Sequence, residues 1–342
     1  MHRRTDLTTD FDKPRERQKD EVLAVTDQRV RRTSHAIEVA APPGVVYGLI
    51  ADVEQWPLFY PSNLHVERLD FDGGTERLRM WSVANGQIRS WISYRVQDPQ
   101  DRVIQFRQHQ PQPPVTAMNG TWIVEELPGG GSRLTLLHDY TVPGDRPEDV
   151  AWVERALDTN AAAELGSLRD LAERWTALDA LLLSFEDSVR VEAAPEAVYE
   201  FLYRASEWPE RLPHVARLDL TDVSPGVQVM AMDTRTADGS LHTTESVRIC
   251  FPHAGRIVYK QTVTPALMAA HTGEWSVLPD GDGVRVVSQH RVVLREEAVR
   301  RVLGPDATLE QARRHVREAL GRNSLTTLGL AKRFAESLAP TA

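Results

Sequence analysis

Three side chains at alternate positions, Trp91, Ser93 and Arg95, form the pattern in this sequence with the most capacity for chemistry. They follow an Asn-Gly dipeptide typical of a tight hairpin turn, so the segment predicts a β-strand on which residues two apart share a face. An aromatic surface, a hydroxyl and a permanent cation in one row would bind a polar, conjugated ligand. Such a row would also stabilise negative charge on the ligand's oxygen atoms.

The same alternation allows a second interpretation, in which this row lies on the solvent side of the sheet. The opposite face of the strand carries Ile88, Ile92, Tyr94 and Val96 and is the more apolar of the two. The apolar face of an antiparallel strand usually packs on the core. Periodicity by itself therefore leaves both orientations open and slightly favours the second.

The elements that position this row belong to a unit that occurs twice. Matching residues recur in the same order at offsets of 149 to 163 residues: Ile37–Tyr47 returns as Val189–Tyr199, Trp56 as Trp208, His65–Asp70 as His214–Asp219, Trp122 as Trp275, His138 as His290, and Asn160 as Asn323. A period this long exceeds that of any solenoid repeat. It indicates a tandem duplication of one globular domain.

The duplication predicts two domains, 31–180 and 181–342. The charged segment 1–30 before them is expected to be an unfolded tail. Fourteen of those 30 residues are charged, seven of each sign, and such a segment buries too little apolar surface to offset the entropy of ordering. The 342 residues of the chain supply enough apolar material for two cores.

Each copy predicts an α+β domain. A short strand precedes a helix that begins at a proline, Pro43 or Pro195. Six or seven antiparallel strands follow, with hairpin turns at 84–87, 128–131 and 280–283. A long helix closes each copy, at about 147–178 and 309–338. In the first closing helix the predicted core face is Trp152, Ala156, Ala163, Leu168, Leu171 and Trp175. A curved sheet around such a helix leaves a natural pocket.

Composition excludes several classes of function. Lys and Arg number 40 and Asp and Glu 49, a net charge of −9, which disfavours binding to nucleic acid or an anionic membrane. We find no membrane span, signal peptide, nucleotide-binding glycine motif or metal-ligand spacing, and expect a soluble cytoplasmic protein without metal or cofactor. Cys250, the only cysteine, is expected in the core, and His138 and His290 in structural hydrogen bonds.

In the row of Trp91, Ser93 and Arg95 and in its internal repeat, the chain resembles the two-domain aromatase/cyclases of bacterial type II polyketide synthases. Single-domain relatives share the Trp-x-Ser-x-Arg strand after an Asn-Gly turn. Further matches are the early Trp-Pro at Trp56, the Met-Asn at Met118 and the helical Asn160. The resemblance spans 33–178 and, through the repeat, 183–340.

The resemblance implies a helix-grip fold in which the Trp-x-Ser-x-Arg side chains point into a cavity between sheet and helix. It implies a substrate, a poly-β-ketone on an acyl carrier protein, supplied by the ketosynthase, chain-length factor and ketoreductase of the synthase. It implies regiospecific closure of the first ring, C7 to C12 in chains reduced at one ketone, and dehydration to an aromatic ring.

It also implies roles for individual residues. Arg95 would stabilise the enolate or alkoxide, Ser93 would orient an oxygen, and Tyr60, at the mouth of the pocket, would be the acid. An ungapped match instead puts Asn63 where relatives have a pocket tyrosine. Substrate contacts are expected from Trp56, Asn63, Trp91, Met118, Trp122 and Asn160, the last on the apolar face of its helix.

The second copy has Thr244, Ser246 and Arg248 in place of the first row, with Trp208 as the early tryptophan. Without the strand tryptophan, its cavity is expected to be narrower or reshaped. Three roles are open for this copy: a later dehydration, holding the chain, or a mainly structural role. Two other functions compete with catalysis: a module that carries a hydrophobic ligand or lipid, and a scaffold for the synthase.

Overall fold

The computed structural model describes residues 29–84, 86–235 and 239–338. Residues 1–28 of the predicted tail lie outside the described residues. Each half of the chain forms one seven-stranded antiparallel sheet and ends in a long helix. This confirms the predicted duplication of an α+β domain.

The first domain consists of seven strands and three helices, followed by a short connecting helix. In chain order they are β1 (Arg31–Val39), α1 (Pro43–Ala51), α2 (Trp56–Phe59), β2 (Asn63–Phe71), β3 (Thr75–Ala84), β4 (Gln87–Asp98), β5 (Val103–His109), β6 (Ala117–Glu126), β7 (Ser132–Thr141), α3 (Pro147–Ala172) and α4 (Leu178–Leu181).

The second domain repeats this plan and adds one short helix before the closing helix. Its elements are β8 (Leu182–Val191), α5 (Pro195–Tyr203), α6 (Trp208–Arg211), β9 (Val215–Ser224), β10 (Val227–Arg235), β11 (Leu241–Phe251), β12 (Arg256–Val263), β13 (Met268–Asp280), β14 (Gly283–Leu294), α7 (Val299–Leu303) and α8 (Leu309–Ser337).

The two sheets have the same topology. The strand orders are β1-β7-β6-β5-β4-β3-β2 and β8-β14-β13-β12-β11-β10-β9. All neighbours are consecutive in sequence except the pairs β1–β7 and β8–β14, in which the first strand joins the last. Residues on one face of each sheet and residues of its closing helix together line a cavity, so the sheet and the helix enclose it.

The predicted hairpin turns are confirmed by the strand register. Ala84 pairs with Gln87, and Gly86 between them has φ +73°, a conformation that glycine adopts without strain. The later turns join Glu126 to Ser132 and Asp280 to Gly283. The last is a plain hairpin turn, as expected.

The closing helix of the first domain ends earlier than predicted and packs a different face. It stops at Ala172, and its buried residues are Val150, Val153, Leu157, Ala161, Leu165, Leu168 and Ala172. Trp152 and Trp175 are 42% and 45% exposed. Of the predicted face, Leu168 is buried and Leu171 packs against the core, but the two tryptophans were wrongly placed on it. The helix packs small and aliphatic residues on the sheet, where they permit close approach.

The two domains contact each other through an apolar cluster. Leu64 and Trp81 of the first domain pack with four residues on the outer face of the second sheet: Val227, Val247, Ile249 and Val258. Beside this cluster Arg256 forms ion pairs with Glu67 of the first domain at 3.2 Å and with Glu274 of its own domain at 2.9 Å. The second sheet thus supports the β2 edge of the first.

Candidate active site

The row on β4 faces the cavity of the first domain, not solvent. Trp91, Ser93 and Arg95 line this cavity, and Arg95 is only 2% exposed. On the opposite face, Tyr94 packs its ring against His109, with the ring centroids 5.8 Å apart. The orientation that periodicity slightly favoured is therefore wrong. The concave face of the sheet carries polar groups because a cavity, rather than close-packed side chains, lies against it.

The first cavity has a volume of about 270 Å³ and brings together all nine first-domain residues named from the sequence. They are Trp56, Tyr60, Asn63, Trp91, Ser93, Arg95, Met118, Trp122 and Asn160. The rest of the wall is largely apolar, with Met80, Phe106 and Leu157 among its residues. The cavity can therefore enclose a conjugated chain while presenting polar groups at a few points.

Arg95 is held rigidly beneath this cavity. Its guanidinium donates to the backbone carbonyl of Ile50 at 2.9 Å, pairs with the buried carboxylate of Glu76 at 3.0 Å and stacks over Trp56, 5.0 Å from the ring centroid. Burial lowers the pKa of Arg95 to about 10, with Glu76 opposing the shift. The side chain therefore remains a cation at neutral pH, in a fixed position.

Five buried polar atoms of the cavity residues have neither a hydrogen-bond partner nor an ion-pair partner among the described protein atoms. They are Trp56 Nε1, Tyr60 OH, Asn63 Oδ1, Arg95 Nε and His138 Nδ1. Leaving such an atom unsatisfied costs about 1–3 kcal/mol. Trp56 Nε1, Tyr60 OH and Arg95 Nε are donors that the oxygen atoms of a ligand would satisfy, whereas Asn63 Oδ1 is an acceptor and needs a donor such as a hydroxyl.

The sequence suggested that Tyr60 lies at the mouth of the cavity, but Tyr60 lies deep inside it. It is 4% exposed, and its ring meets Trp56 edge-on at 5.3 Å. Burial raises the pKa of Tyr60 well above 10, so its hydroxyl serves better as a hydrogen-bond donor than as a proton donor. Asn63 lies on the same wall, with its Nδ2 3.5 Å from Ser82 Oγ.

A lysine of the second domain holds the turn that carries Tyr60 and Asn63. Lys260 Nζ donates to the backbone carbonyls of Tyr60 at 2.7 Å, Pro61 at 3.0 Å and Asn63 at 2.7 Å. Burial lowers the pKa of Lys260 to about 7, and the three carbonyl oxygens favour its protonated form, which has three N–H groups to donate. Sequence reasoning missed this residue, since no local pattern indicates a contact across about 200 positions.

Asn160 and its neighbour Glu164 differ from the expectation for the closing helix. Asn160 lines the cavity but is exposed, so it has no buried amide that must find a partner. Glu164, one turn later, also lines the cavity, and burial raises the pKa of its carboxyl to about 7. Glu164 follows Asn160 by four positions, which places both residues on the same face of the helix. The sequence could have indicated Glu164 on this ground, but the prediction did not include it.

The second cavity is not narrower than the first. Its volume is about 360 Å³, and Trp208, Thr244, Ser246 and Arg248 line it as the duplication implied. Threonine at position 244 leaves room that Trp91 occupies in the first domain. The expected reshaping is present, but it enlarges the cavity.

Other chemical groups are placed more simply. Cys250 is buried in the core of the second domain, as predicted. Among the described residues no three His, Cys, Asp or Glu side chains are grouped to hold a metal ion. In that same part of the chain, no helix has the length and hydropathy that a membrane crossing requires.

The two repeated histidines, both expected in structural hydrogen bonds, differ in their partners. His290 makes hydrogen bonds through both ring nitrogens. His138 Nδ1 has no partner within the described residues, and burial lowers its pKa to about 4. The two cavities have therefore diverged at the same strand position.

Comparison with known proteins places both halves in one family. The model described as "Polyketide cyclase / dehydrase and lipid transport" matches residues 30–173 and again 183–325. Two curated relatives are bifunctional cyclase/dehydratases. The granaticin polyketide synthase protein of Streptomyces violaceoruber is 44% identical over 307 residues, covering 90% of this chain and 94% of the relative. The actinorhodin polyketide synthase protein of Streptomyces coelicolor is 39% identical, covering 87% and 94%.

Two solved structures share the two-domain architecture. The di-domain ARO/CYC BexL from the BE-7585A biosynthetic pathway has a TM-score of 0.83 and 47% identity, covering 90% of this chain and 99% of that one. The di-domain ARO/CYC StfQ from the steffimycin pathway has a TM-score of 0.78 and 34% identity, covering 90% and 100%. Both comparisons confirm the tandem helix-grip fold.

Proposed function

Because this chain belongs to the polyketide cyclase/dehydrase and lipid-transport family, with a family domain in each half, we propose that it is a cyclase and dehydratase of a type II polyketide synthase. Its substrate is a poly-β-ketone on acyl carrier protein, made by the ketosynthase and chain-length factor and reduced at one ketone by the ketoreductase. The first reaction closes C7 onto C12. The names of the granaticin and actinorhodin relatives support the reaction class.

The observation that carries this proposal is the set of three unpartnered donors, Trp56 Nε1, Tyr60 OH and Arg95 Nε, around a largely apolar cavity. A poly-β-ketone has a carbonyl oxygen at every second carbon, so a folded chain presents acceptors at several points of such a wall. A simple lipid has no oxygen atoms to offer along its chain. These donors therefore favour a ketide over a fatty acyl chain.

The aldol step can be assigned to residues of the first cavity. When the chain is numbered from its thioester carbon, carbonyls fall on odd carbons and methylenes on even ones, so C12 is the nucleophile and C7 the acceptor. The Glu164 carboxylate takes a proton from C12, and the electron pair of that C–H bond moves into an enolate whose oxygen faces Arg95. The C12–C7 bond then forms, and the C7 oxygen takes the proton back from Glu164 to become a hydroxyl.

The other cavity residues orient the chain for this step. Tyr60 donates a hydrogen bond to the C7 oxygen, and Ser93 and Asn63 contact neighbouring ketones. Trp56, Trp91, Met118 and Trp122 confine the chain to a fold that brings C7 and C12 together, while Asn160 contacts its outer part. A fixed donor at a developing oxyanion is typically worth about 10²–10³ in rate, and this is the contribution expected of Arg95.

A carrier of hydrophobic ligands is the second candidate, since the family description includes lipid transport and aromatic and aliphatic groups dominate the cavity wall. The two functions differ in what they require of Arg95. A carrier would tolerate Arg95→Leu, which keeps the apolar volume. A cyclase would not, because the charge itself stabilises the enolate.

The experiment is reconstitution with a minimal synthase and ketoreductase, with and without this protein, followed by mass spectrometry and NMR of the products. A new product with a C7–C12 ring supports the proposal. Unchanged shunt products together with tight binding of a fatty acid support a carrier. Unchanged products together with binding to the ketosynthase support a scaffold.

A further inference from the structure

The second cavity contains a continuous chain of hydrogen-bonded side chains that ends at a serine. Gln261 Oε1 lies 2.9 Å from His271 Nδ1, His271 Nε2 lies 3.0 Å from His290 Nδ1, and His290 Nε2 lies 2.6 Å from Ser324 Oγ. These four residues, which we call the histidine chain, all line the cavity. Three of them, His271, His290 and Ser324, are 2–3% exposed.

The partners determine where the protons lie when both rings are neutral. The Gln261 oxygen is an acceptor, so His271 Nδ1 carries a proton and its Nε2 accepts from His290. His290 Nδ1 therefore carries a proton, and its Nε2 accepts from the Ser324 hydroxyl. Ser288 Oγ, 3.3 Å from Ser324 Oγ, donates to that oxygen. Along Ser324, His290, His271 and Gln261 each donor thus meets an acceptor, and this chain runs in one direction. Tyr259 OH, 3.3 Å from His290 Nδ1, and Ser288 Oγ, 3.2 Å from His290 Nε2, are further neighbours of the His290 ring.

Burial supports the neutral form of both rings. It lowers the pKa of His290 to about 4 and that of His271 well below 6.5. At neutral pH, His290 Nε2 is therefore an unprotonated base whose ring is oriented from behind by His271. A serine hydroxyl on a base that a third group orients is the arrangement that moves protons in many active sites.

The first cavity lacks this chain at the matching positions. A shift of 152 to 163 residues, given by the repeat, aligns His138 with His290, Met118 with His271 and Ala161 with Ser324. Met118 and Ala161 cannot form these hydrogen bonds. Since the two copies share a fold, the chain is an addition in the second cavity and not a requirement of the architecture.

The arginine of the second cavity also differs from that of the first. On the neighbouring strand, the residue directly opposite Arg95 is Glu76, whereas the residue opposite Arg248 is Gln228. Arg248 is 1% exposed and donates to the backbone carbonyls of Leu202 at 2.5 Å and Tyr203 at 3.4 Å. Among the described residues it forms no ion pair with a carboxylate. Its charge is therefore available to an anionic oxygen in the cavity.

We propose that the second cavity is a separate catalytic centre, which eliminates water from a cyclic β-hydroxy ketone by means of the histidine chain and Arg248. This inference rests on the proposed function, since the cyclised product of the first cavity is its substrate. Ser324 and Arg248 are the catalytic residues that face the substrate. His290 takes and returns the proton through Ser324, and His271 is a positioning residue.

The elimination balances without a cofactor. The proton on the carbon next to the ketone moves to Ser324 Oγ as the Ser324 proton moves to His290 Nε2. The electron pair of the C–H bond forms an enolate, whose oxygen is held by Arg248. Collapse of the enolate restores the ketone, forms the C=C bond and expels the β-hydroxyl. The hydroxyl leaves as water with the proton that His290 returns through Ser324.

The test follows products of the reconstituted synthase for the wild-type protein and for Ser324→Ala and His290→Gln. Alanine is the residue that the first domain has at the matching position, so the fold accommodates it. We expect both variants to form the C7–C12 ring but to accumulate a product heavier by one water, with elimination slowed about 10²-fold or more. The control is Thr326→Ala, which removes an exposed hydroxyl from the same helix, outside the cavity, and should match the wild type.

His271→Met introduces the methionine that the first domain has at the matching position. This substitution removes the hydrogen bond that orients His290 but keeps a side chain that fills the space. We expect slower elimination with a changed pH profile, because His290 loses the acceptor that fixes its tautomer, while ring closure stays intact. A synthetic 3-hydroxycyclohexanone, monitored by absorbance of the conjugated enone, measures elimination without any cyclisation step.

The outcomes separate this inference from the proposed function. Wild-type protein that leaves the synthase products unchanged contradicts the proposed function. Wild-type protein that cyclises and dehydrates, with Ser324→Ala and His290→Gln indistinguishable from it, contradicts the inference alone. A covalent acyl adduct on Ser324, seen by intact-protein mass spectrometry, would also overturn it, because Ser324 would then be a nucleophile.

Discussion

Lys260 of the second domain lies with its Nζ 2.7 Å from the backbone carbonyl oxygen of Tyr60 in the first domain. The same ammonium donates to the carbonyls of Pro61 and Asn63. The turn that carries two residues of the first cavity therefore depends on a side chain of the second domain. The second domain thus supports a turn of the first cavity, although each domain has its own cavity.

This contact predicts that Lys260→Met destabilises the protein and disturbs the first cavity. The variant keeps the length of the side chain but leaves buried carbonyls without donors, so we expect a loss of about 3 kcal/mol in the free energy of unfolding. Ring closure should slow more than elimination. Denaturant unfolding and the product ratio measure the two effects.

Lys332→Met is the control for that variant. Lys332 lies at the surface, where it donates to the carbonyl of Arg190 at 2.8 Å and pairs with Glu336, and such exposed contacts are worth about 1 kcal/mol or less. Equal effects of the two substitutions would show that Lys260 has no special role.

The two buried arginines predict different products when each is replaced. Arg95→Ala should lower formation of the C7–C12 ring about 10²–10³-fold, because the enolate loses its cation. Arg248→Ala should have a smaller effect on ring closure and should accumulate the cyclised product that retains its hydroxyl. Chromatography with mass detection distinguishes these outcomes. Identical product profiles for the two variants would contradict a division of labour between the cavities.

Glu76 predicts a stability effect that is specific to the first domain. Its buried carboxylate pairs with Arg95 at 3.0 Å and Arg68 at 3.0 Å, and Gln97 donates to it at 2.8 Å. Removing one partner of a buried pair costs about 3–5 kcal/mol, so Glu76→Gln should lower the unfolding midpoint clearly. Gln228 occupies the matching position of the second domain. Gln228→Ala breaks no ion pair, so it should lower the free energy of unfolding by less.

Glu164 predicts a pH dependence of both stability and rate. Its pKa in the folded protein is about 7, against an ordinary value of 4.5, so the folded state holds this proton more tightly than the unfolded chain does. Its contribution to stability is therefore fully present below pH 4.5 and is lost as pH rises toward 7. Ring closure should show the opposite trend, rising with pH to about 7 as the carboxylate forms.

Glu164→Gln should flatten both profiles, because the amide does not titrate. Chemical denaturation at a series of pH values and initial rates of ring closure over the same range are the measurements. A variant that keeps the wild-type pH–rate profile would exclude Glu164 as the base.

Much of the architecture follows from local patterns. The order of repeated residues predicts two copies of one domain, and the Asn-Gly and Gly-rich segments predict the hairpins, because turn geometry depends on a few neighbouring residues. The helix beginning at Leu309 has a capping box formed by Thr308 and Gln311, which is also readable from the sequence. The Trp-x-Ser-x-Arg spacing located the row of cavity residues for the same reason, since alternation along a strand is a local property.

Tertiary structure decided which face of β4 borders a cavity and which groups meet there. The strand pattern was ambiguous, because a cavity wall can be polar where a packed core cannot, and only the curvature of the sheet around α3 shows that a cavity is present. The contacts of Arg95 with Ile50, of Lys260 with Tyr60 and of His290 with Ser324 join residues 45, 200 and 34 positions apart. Such pairs depend on strand register and on how helix and sheet pack, and no short stretch of sequence specifies either.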